Sequence, residues 1–133
     1  MTVAVAYAGG ESSRAALRLA VSEARLRRMT LVVIHTTSGE DYESPRYAGP
    51  DTLLELERHL RLTGVSFVIR QPVAADVAEG VLEEAERVRA VLLVVGLRRR
   101  SAVGKVLLGS IAQRIVLDSP VPVLAVPPAL VDA

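Results

Sequence analysis

The chain has 133 residues, which is enough for one domain with a buried core, and no repeat, linker or low-complexity tract divides it. We therefore expect residues 1–133 to form a single domain. Half of the residues are apolar and 23% are charged, which excludes an intrinsically disordered chain. The net charge of +1 gives no reason to expect nucleic acid or an anionic membrane as a partner.

Cysteine is absent, which excludes disulfides, thiolate catalysis and cysteine-based zinc sites. No apolar run is long enough to span a bilayer, and the N-terminus lacks the basic and long apolar segments of a secretory leader. We therefore expect a cytoplasmic protein, because cysteine-free chains without such segments are typical of that compartment.

Strand-like apolar runs alternate with helix-like segments along the chain. The predicted strands are Val3–Tyr7, Leu31–Ile34, Val65–Ile69, Val91–Val95 and Val121–Val126. The predicted helices are one with Leu17, Ala20, Val21 and Ala24 on its buried face, then Leu53–Leu62, one with Val77, Val81, Ala85 and Val88 on its buried face, and Ser110–Leu117. A long polar loop is predicted between Thr36 and Pro50.

This alternation predicts an α/β fold with an open, doubly wound parallel sheet and helices on both faces. The strands are continuously apolar, as expected for strands that are buried on both sides. Ligands of such sheets bind outside the carboxyl ends of the strands. The candidate segments are therefore those after strands one, two and four: Tyr7-Ala8-Gly9, His35-Thr36 and Gly96 to Arg100.

Two segments carry helix-start signals. Asp76 lies three residues before Glu79, which is the spacing of a capping box with Asp as the cap. Ser110 and Gln113 have the same spacing, so Ser110 is predicted to cap the fourth helix. The carboxylates Glu83, Glu84 and Glu86 are predicted to lie on a solvated face of the third helix.

The segment from Gly96 to Ser110 is the strongest functional signal. It joins a buried strand to a helix through a basic loop bounded by glycines, and unpaired N–H groups and the helix dipole favour anions there. The segment is not a P-loop. When the P-loop pattern is aligned on Gly104 and Lys105, Arg99 stands at the position of its first glycine, and Val106 stands at the position of the serine or threonine that follows the lysine. Gly9-Gly10 lacks the third glycine of a dinucleotide fingerprint.

The chain resembles the universal stress protein family over nearly its whole length. The resemblance rests on Val3–Tyr7 leading to Glu11–Leu17, on Gly96 through Ser110, and on Pro120 through Val126. It implies a Rossmann-like sheet of five strands in the order 3-2-1-4-5 and a homodimer. In one branch of the family it also implies bound ATP.

The ATP-binding branch has a glycine, two residues, a second glycine, nine residues, and then Gly-Ser or Gly-Thr. Gly96, Gly109 and Ser110 match this pattern, whereas Arg99 stands at the second glycine. The branch also places an aspartate near the adenosine, where this chain has Ala8. Arg99 is compatible with two interpretations, a guanidinium clamp on phosphate or a solvated loop.

These observations lead to two main hypotheses. The first is a regulatory, stress-linked protein that binds an adenine nucleotide, with ATP as the first candidate. Its site would be formed by Ala6, Tyr7, Ala8, Thr36, Val95, Gly96, Arg98, Arg99, Gly109, Ser110 and Ile111. The second is a nucleotide-free homodimer that binds a protein partner as an interaction or scaffold protein.

A third hypothesis is a small enzyme that uses His35. A lone histidine without a placed carboxylate or nucleophile is weak evidence for catalysis, and His59 lies in a charged helix that faces solvent. No general base or metal-ligand spacing is present, so we name no catalytic or metal-binding residue and expect at most slow ATP hydrolysis.

The fifth strand is the expected dimer contact. Val121–Val126 is apolar and bracketed by prolines, which belong at sheet edges or strand starts. An unpaired apolar edge invites pairing with another copy, unless its prolines and the C-terminal tail protect it. Together with the resemblance, this favours a homodimer through the fifth strand.

Overall fold

A computed structural model describes residues 1–35, 50–99 and 106–127. The strands are β1 (Thr2–Ala6), β2 (Thr30–Ile34), β3 (Phe67–Arg70), β4 (Ala90–Gly96), β5 (Arg98–Arg99), β6 (Val106–Leu107) and β7 (Val123–Val126). The helices are α1 (Gly10–Arg27), α2 (Pro50–Thr63), α3 (Val77–Arg87) and α4 (Ser110–Asp118). The predicted polar loop lies outside the described residues except for Pro50, which begins α2.

The main sheet has five parallel strands in the order β3-β2-β1-β4-β7. Since β7 is the fifth strand of this sheet in chain order, the predicted order 3-2-1-4-5 is confirmed. Val5 pairs with Val33 of β2 on one side and with Val94 of β4 on the other. The central strand β1 thus places its carboxyl end between those of β2 and β4.

Two apolar layers cover the sheet, as the continuously apolar strands predict. One core cluster joins α1 and α2 to side chains such as Val5 and Val33, and the other joins α3 and α4 to side chains such as Ala4 and Ile34. Alternate strand residues therefore face opposite layers. Within the described residues, no helix is long and apolar enough to cross a membrane.

The segment predicted as a continuous loop after β4 contains regular structure. Arg98 pairs with Leu107 and Arg99 with Val106, which forms a short antiparallel hairpin of β5 and β6. The hairpin begins two residues after the end of β4 and ends shortly before α4. This pairing holds the backbone of Arg98 and Arg99 next to the segment that leads into α4.

The two predicted helix starts differ in outcome. The Asp76 side chain accepts a hydrogen bond from the Glu79 N–H at 3.1 Å, which confirms it as the N-cap of α3. The prediction for Ser110 was wrong, because the N-cap of α4 is Gly109, whose carbonyl accepts from the Gln113 N–H at 2.8 Å. Ser110 is the first helical residue, so its side chain does not occupy the capping position.

The prediction of a solvated acidic face on α3 was wrong for one residue. Glu83 and Glu86 are exposed, but Glu84 is buried with 2% of its surface exposed. Its carboxylate accepts from Arg70 Nε at 2.8 Å and from Arg87 Nη1 at 2.9 Å. Glu84 can be buried because Arg70, at the carboxyl end of β3, lies against α3 and supplies a cation. This contact joins two separate elements, so no local sequence pattern predicts it.

Candidate functional site

A cleft of about 160 Å³ opens at the carboxyl ends of β1, β2 and β4. The N-terminal turn of α1 lines one side of it, and α3 and α4 line the other. This is the location that the strand order predicts, because parallel strands leave a crevice where successive connections diverge to opposite faces. β1 and β4 are adjacent in the sheet, and their connections to α1 and α4 lead to different layers.

Most residues of the predicted site line this cleft. They are Ala6, Tyr7, Ala8, Val95, Gly96, Arg98, Gly109, Ser110 and Ile111. Thr36 lies outside the described residues. The backbone of Arg99 is part of β5, but its side chain is not among the described parts, so the clamp that its sequence position suggested stays a prediction.

Gly96 owes its identity to packing within the protein. A Cβ built on it would lie 2.2 Å from the backbone oxygen of Ser12 and 2.7 Å from the carbonyl carbon of the same residue. Only a residue without a side chain fits there, because a real Cβ cannot approach a backbone oxygen so closely. The close contact holds the end of β4 against the first turn of α1.

The N-terminus of α4 supplies an electropositive wall. Gly109 and Ser110 line the cleft, and the first N–H groups of this helix have no partner within the helix itself. The Arg98 side chain lies over the same turn, since a Cβ on Gly109 would stand 3.8 Å from both Cδ and Nε of Arg98. A guanidinium beside helix N–H groups is an arrangement that binds phosphate or carboxylate.

The opposite part of the cleft is apolar. Its lining includes Val77 and Val81 of α3 and Ile111 and Ile115 of α4. Of these residues, sequence reasoning placed only Ile111 in the site. The available signal was their spacing of four residues on each helix, which indicated a buried face without indicating that a cleft would interrupt it.

Two buried polar side chains, Ser13 and His35, contact the end of β1. His35 belongs to a segment that the sequence analysis named as a candidate, whereas Ser13 was missed. His35 Nδ1 lies 2.6 Å from the Tyr7 carbonyl oxygen, and the Ala8 N–H donates to Ser13 Oγ at 2.9 Å. Both side chains line the cleft and are nearly inaccessible, with 2% of His35 and 6% of Ser13 exposed. They bind the two ends of one peptide group, since the Tyr7 carbonyl and the Ala8 N–H belong to the same peptide bond.

The Tyr7 ring packs against the core on the α1 and α2 side of the sheet. Burial raises the pKa of its hydroxyl, an effect that the nearby Arg14 cation opposes and the Glu55 carboxylate reinforces. Tyr7 therefore anchors the end of β1, as expected for an aromatic residue at the end of a buried strand.

An ion pair bridges the two helices that border the cleft. The Arg114 guanidinium of α4 donates to the carboxylate of Asp76, the N-cap of α3. The Glu79 backbone N–H and the Arg114 side chain together hold the pKa of Asp76 below its ordinary value. This contact ties the start of α3 to α4 beside Val77 and Ile111.

The described cleft has few ionisable groups. No carboxylate lines it among the described residues, and Tyr7, His35 and Arg98 are its ionisable groups there. The described part of the chain also holds no group of three metal-ligating side chains. His59 is exposed on α2, as predicted.

Comparisons with known proteins agree with this architecture. The model of the universal stress protein family matches residues 1–127. A universal stress protein of Mycolicibacterium smegmatis is 44% identical over 126 residues, which cover 95% of this chain and 97% of that protein.

Solved structures give the same assignment. A universal stress protein from Archaeoglobus fulgidus superposes with a TM-score of 0.72 at 26% identity, covering 95% of this chain and 98% of that one. A universal stress protein in complex with cAMP superposes with a TM-score of 0.70 at 27% identity, covering 96% and 97%. Because the family model matches residues 1–127 and a relative that is 44% identical aligns over nearly the whole of both chains, this chain belongs to the universal stress protein family.

Proposed function

We propose that this protein is a regulatory nucleotide-binding protein whose cleft takes an adenine nucleotide, with ATP as the first candidate. The observation that carries the proposal is the placement of Arg98 over Gly109 at the N-terminus of α4, which forms a site for phosphate oxygens. The apolar side chains of α3 and α4 that line the cleft offer a surface for the nucleoside.

A relative supports the choice of ligand. The universal stress protein that is 27% identical over most of both chains was solved with cAMP, which is an adenine nucleotide. In the present chain we place the phosphates over Gly96, Arg98, Gly109 and Ser110, and the nucleoside towards Ala6, Tyr7 and Ala8. Arg99 and Thr36 remain part of the proposed site.

A second candidate function is a nucleotide-free homodimer that binds a protein partner. Two observations favour it. Ala8 offers no polar side chain at the end of β1, and β7 leaves an apolar edge at one end of the described sheet. In this alternative the Arg98 hairpin contacts the partner protein instead of phosphate.

Two measurements separate these candidates. The first is mass spectrometry of the small molecules released when the purified protein is denatured. The second is calorimetric titration of the wild type with ATP, AMP and cAMP. We expect at least one adenine nucleotide to bind, and substitution Arg98→Glu to weaken that binding by about 100-fold or more, because it places a negative charge against the phosphates.

Arg58→Glu is the matched control, because it makes the same charge change at an exposed position on α2, in the opposite layer. We expect it to leave the affinity unchanged. A wild type that releases no nucleotide and binds none of the three would overturn the nucleotide proposal and favour the second candidate.

A further inference from the structure

A second cavity, of about 330 Å³, is lined by residues of α1 and α2, and we call it the α1–α2 cavity. It is larger than the cleft, which has about 160 Å³. It belongs to the other layer of the molecule, because its apolar lining residues are part of the core cluster of α1 and α2. Ligand sites usually have volumes of about 300–1,000 Å³, so the α1–α2 cavity is large enough for a small molecule.

Part of the lining of the α1–α2 cavity is apolar. Leu17 of α1 and Leu56 of α2 line it with only 3% and 6% of their surfaces exposed, and the Tyr7 ring packs against the same core cluster. A Cβ built on Gly9, which also lines the cavity, would meet no atom within 4 Å. An apolar ligand body would therefore find both free space and apolar side chains to cover.

Besides Tyr7, four ionisable side chains line the α1–α2 cavity. Arg14 and Arg18 are four residues apart on α1, and Glu55 and His59 are four residues apart on α2. Residues at this spacing are neighbours on the same face of a helix. Each helix thus presents a pair of ionisable side chains to the cavity, and the pair on α1 consists of two cations.

The two arginines repel one another, since like charges at this spacing destabilise a helix. Neither of them forms a salt bridge with a described residue. Burial raises the pKa of the Tyr7 hydroxyl, Arg14 lowers it and Glu55 raises it, so both charges act on the same ring. An anion held between the two guanidinium groups would relieve their repulsion and form charge-assisted hydrogen bonds with both.

We propose that the α1–α2 cavity binds a small organic anion, composed of an apolar or aromatic body and a single carboxylate, sulfonate or phosphate group. The anionic group pairs with Arg14 and Arg18, and the body covers the two buried leucines. Glu55 repels the anionic group from the α2 side and thereby sets the orientation of the ligand. The site does not depend on the nucleotide proposal, because the phosphate-binding residues proposed for the cleft are not among its described lining.

The test uses two fluorescent probes with the same aromatic body. The anionic probe is 8-anilinonaphthalene-1-sulfonate, and the neutral probe is N-phenyl-1-naphthylamine, which lacks the sulfonate. We expect the wild type to bind one anionic probe per chain, about tenfold more tightly than the neutral probe, because the sulfonate pairs with the arginines. Fluorescence titration of the full chain at low ionic strength measures both affinities.

Substitutions at exposed positions should change the affinity for the anionic probe in opposite directions. Arg18→Gln removes a cation, and we expect about tenfold weaker binding. Glu55→Gln removes the repelling carboxylate, and we expect about threefold tighter binding. Arg58→Gln is the matched control, because Arg58 is exposed on α2 and is not among the described lining residues. We expect this control to leave the affinity unchanged.

Three results would overturn the site. The first is that the wild type shows no saturable binding of the anionic probe, or binds both probes equally. The second is that Arg18→Gln weakens binding no more than Arg58→Gln does, which would indicate a general attraction to surface charge. The third is that binding is lost in Arg98→Gln and kept in Arg18→Gln, which would place the probe in the cleft. Nucleotide binding is measured separately, so each proposal can fail without the other.

Discussion

Gly96 at the end of β4 is packed directly against the backbone of Ser12 in the first turn of α1, where an added Cβ would lie 2.2 Å from the Ser12 carbonyl oxygen. The contact joins two cleft-lining segments that are more than 80 positions apart in the chain. It explains the glycine without reference to a ligand.

Substitution Gly96→Ala should therefore destabilise the fold itself. The added methyl group meets backbone atoms that cannot move without displacing α1, so we expect a loss of about 2–4 kcal/mol in the free energy of unfolding. Urea denaturation followed by circular dichroism measures this change. An unfolding midpoint equal to that of the wild type would contradict the close contact.

Gly109→Ala is the matched comparison for that experiment. Its Cβ would meet its nearest neighbour, the Arg98 side chain, at 3.8 Å, and its backbone is in an ordinary region with φ −63°. We expect a change in the free energy of unfolding below about 1 kcal/mol. If Gly109→Ala lowers the free energy of unfolding as much as Gly96→Ala does, the contacts described here do not account for the role of Gly109 in stability.

Removing the two cationic partners of the buried Glu84 should destabilise the protein more than removing Glu84 itself. Its carboxylate is 2% exposed, whereas the side chains of Arg70 and Arg87 are 46% and 63% exposed. Replacing both arginines with methionine leaves a buried charge unpaired, and we expect a cost of about 3–5 kcal/mol in unfolding free energy.

Glu84→Met leaves two cations that water already solvates, so its expected cost is smaller, about 1 kcal/mol. Chemical denaturation of both variants at pH 7 tests the order. A single-site cost that matches or exceeds that of the double arginine variant would contradict the arrangement of one buried anion between two solvated cations.

Asp76→Asn should reduce stability in a pH-dependent way. The Glu79 N–H and Arg114 hold the pKa of Asp76 below its ordinary value of 3.8, so the carboxylate stabilises the folded state above that pH. The contribution disappears as the pH falls through the lowered folded-state pKa. Asparagine is also a good N-cap, so this variant mainly removes the charge.

We expect the urea midpoints of wild type and Asp76→Asn to differ most near neutral pH and to converge below pH 3.8. Denaturation series from pH 7 to about pH 2.5 measure the difference. A difference that is constant over this range would show that the Asp76 charge does not contribute to stability.

The edge strand β7 is the proposed contact of a homodimer. Val123, Leu124 and Ala125 are each half-buried in the single chain, and β7 pairs with β4 on one side only within the described sheet. We expect the wild type to sediment as a dimer at micromolar concentration. Ala125→Lys should shift it to a monomer, because an edge lysine opposes strand pairing.

Circular dichroism should show that Ala125→Lys remains folded, which separates loss of dimer from loss of structure. A wild type that sediments as a monomer, or a dimer that persists in this variant, would contradict association through β7.

Much of the fold could be predicted because its signals are local. The apolar runs of the strands and the periodic face of α1, with Leu17, Ala20, Val21 and Ala24 all buried, depend on neighbours within a few residues. Asp76 could be identified as a cap for the same reason. Element boundaries were less exact, since β3 and β7 each begin two residues later than predicted.

The candidate site was predictable only in part. Most of its predicted residues line the cleft because the carboxyl ends of parallel strands must converge at one edge of the sheet. Ser13, Val77 and Ile115 were missed, since each looks like an ordinary helix residue until its helix is docked. The hairpin after Leu97 was missed because it pairs residues across a stretch without a turn signature.

The sequence by itself determined the alternation of strands and helices, the parallel sheet and the edge at which a ligand site would form, since each follows from local periodicity and chain connectivity. Only the tertiary structure decided why Gly96 must be glycine, why Glu84 is buried, and how Ser13 and His35 engage a single peptide group. These features arise where separate elements pack, and the energies involved depend on distances between atoms that are remote along the chain.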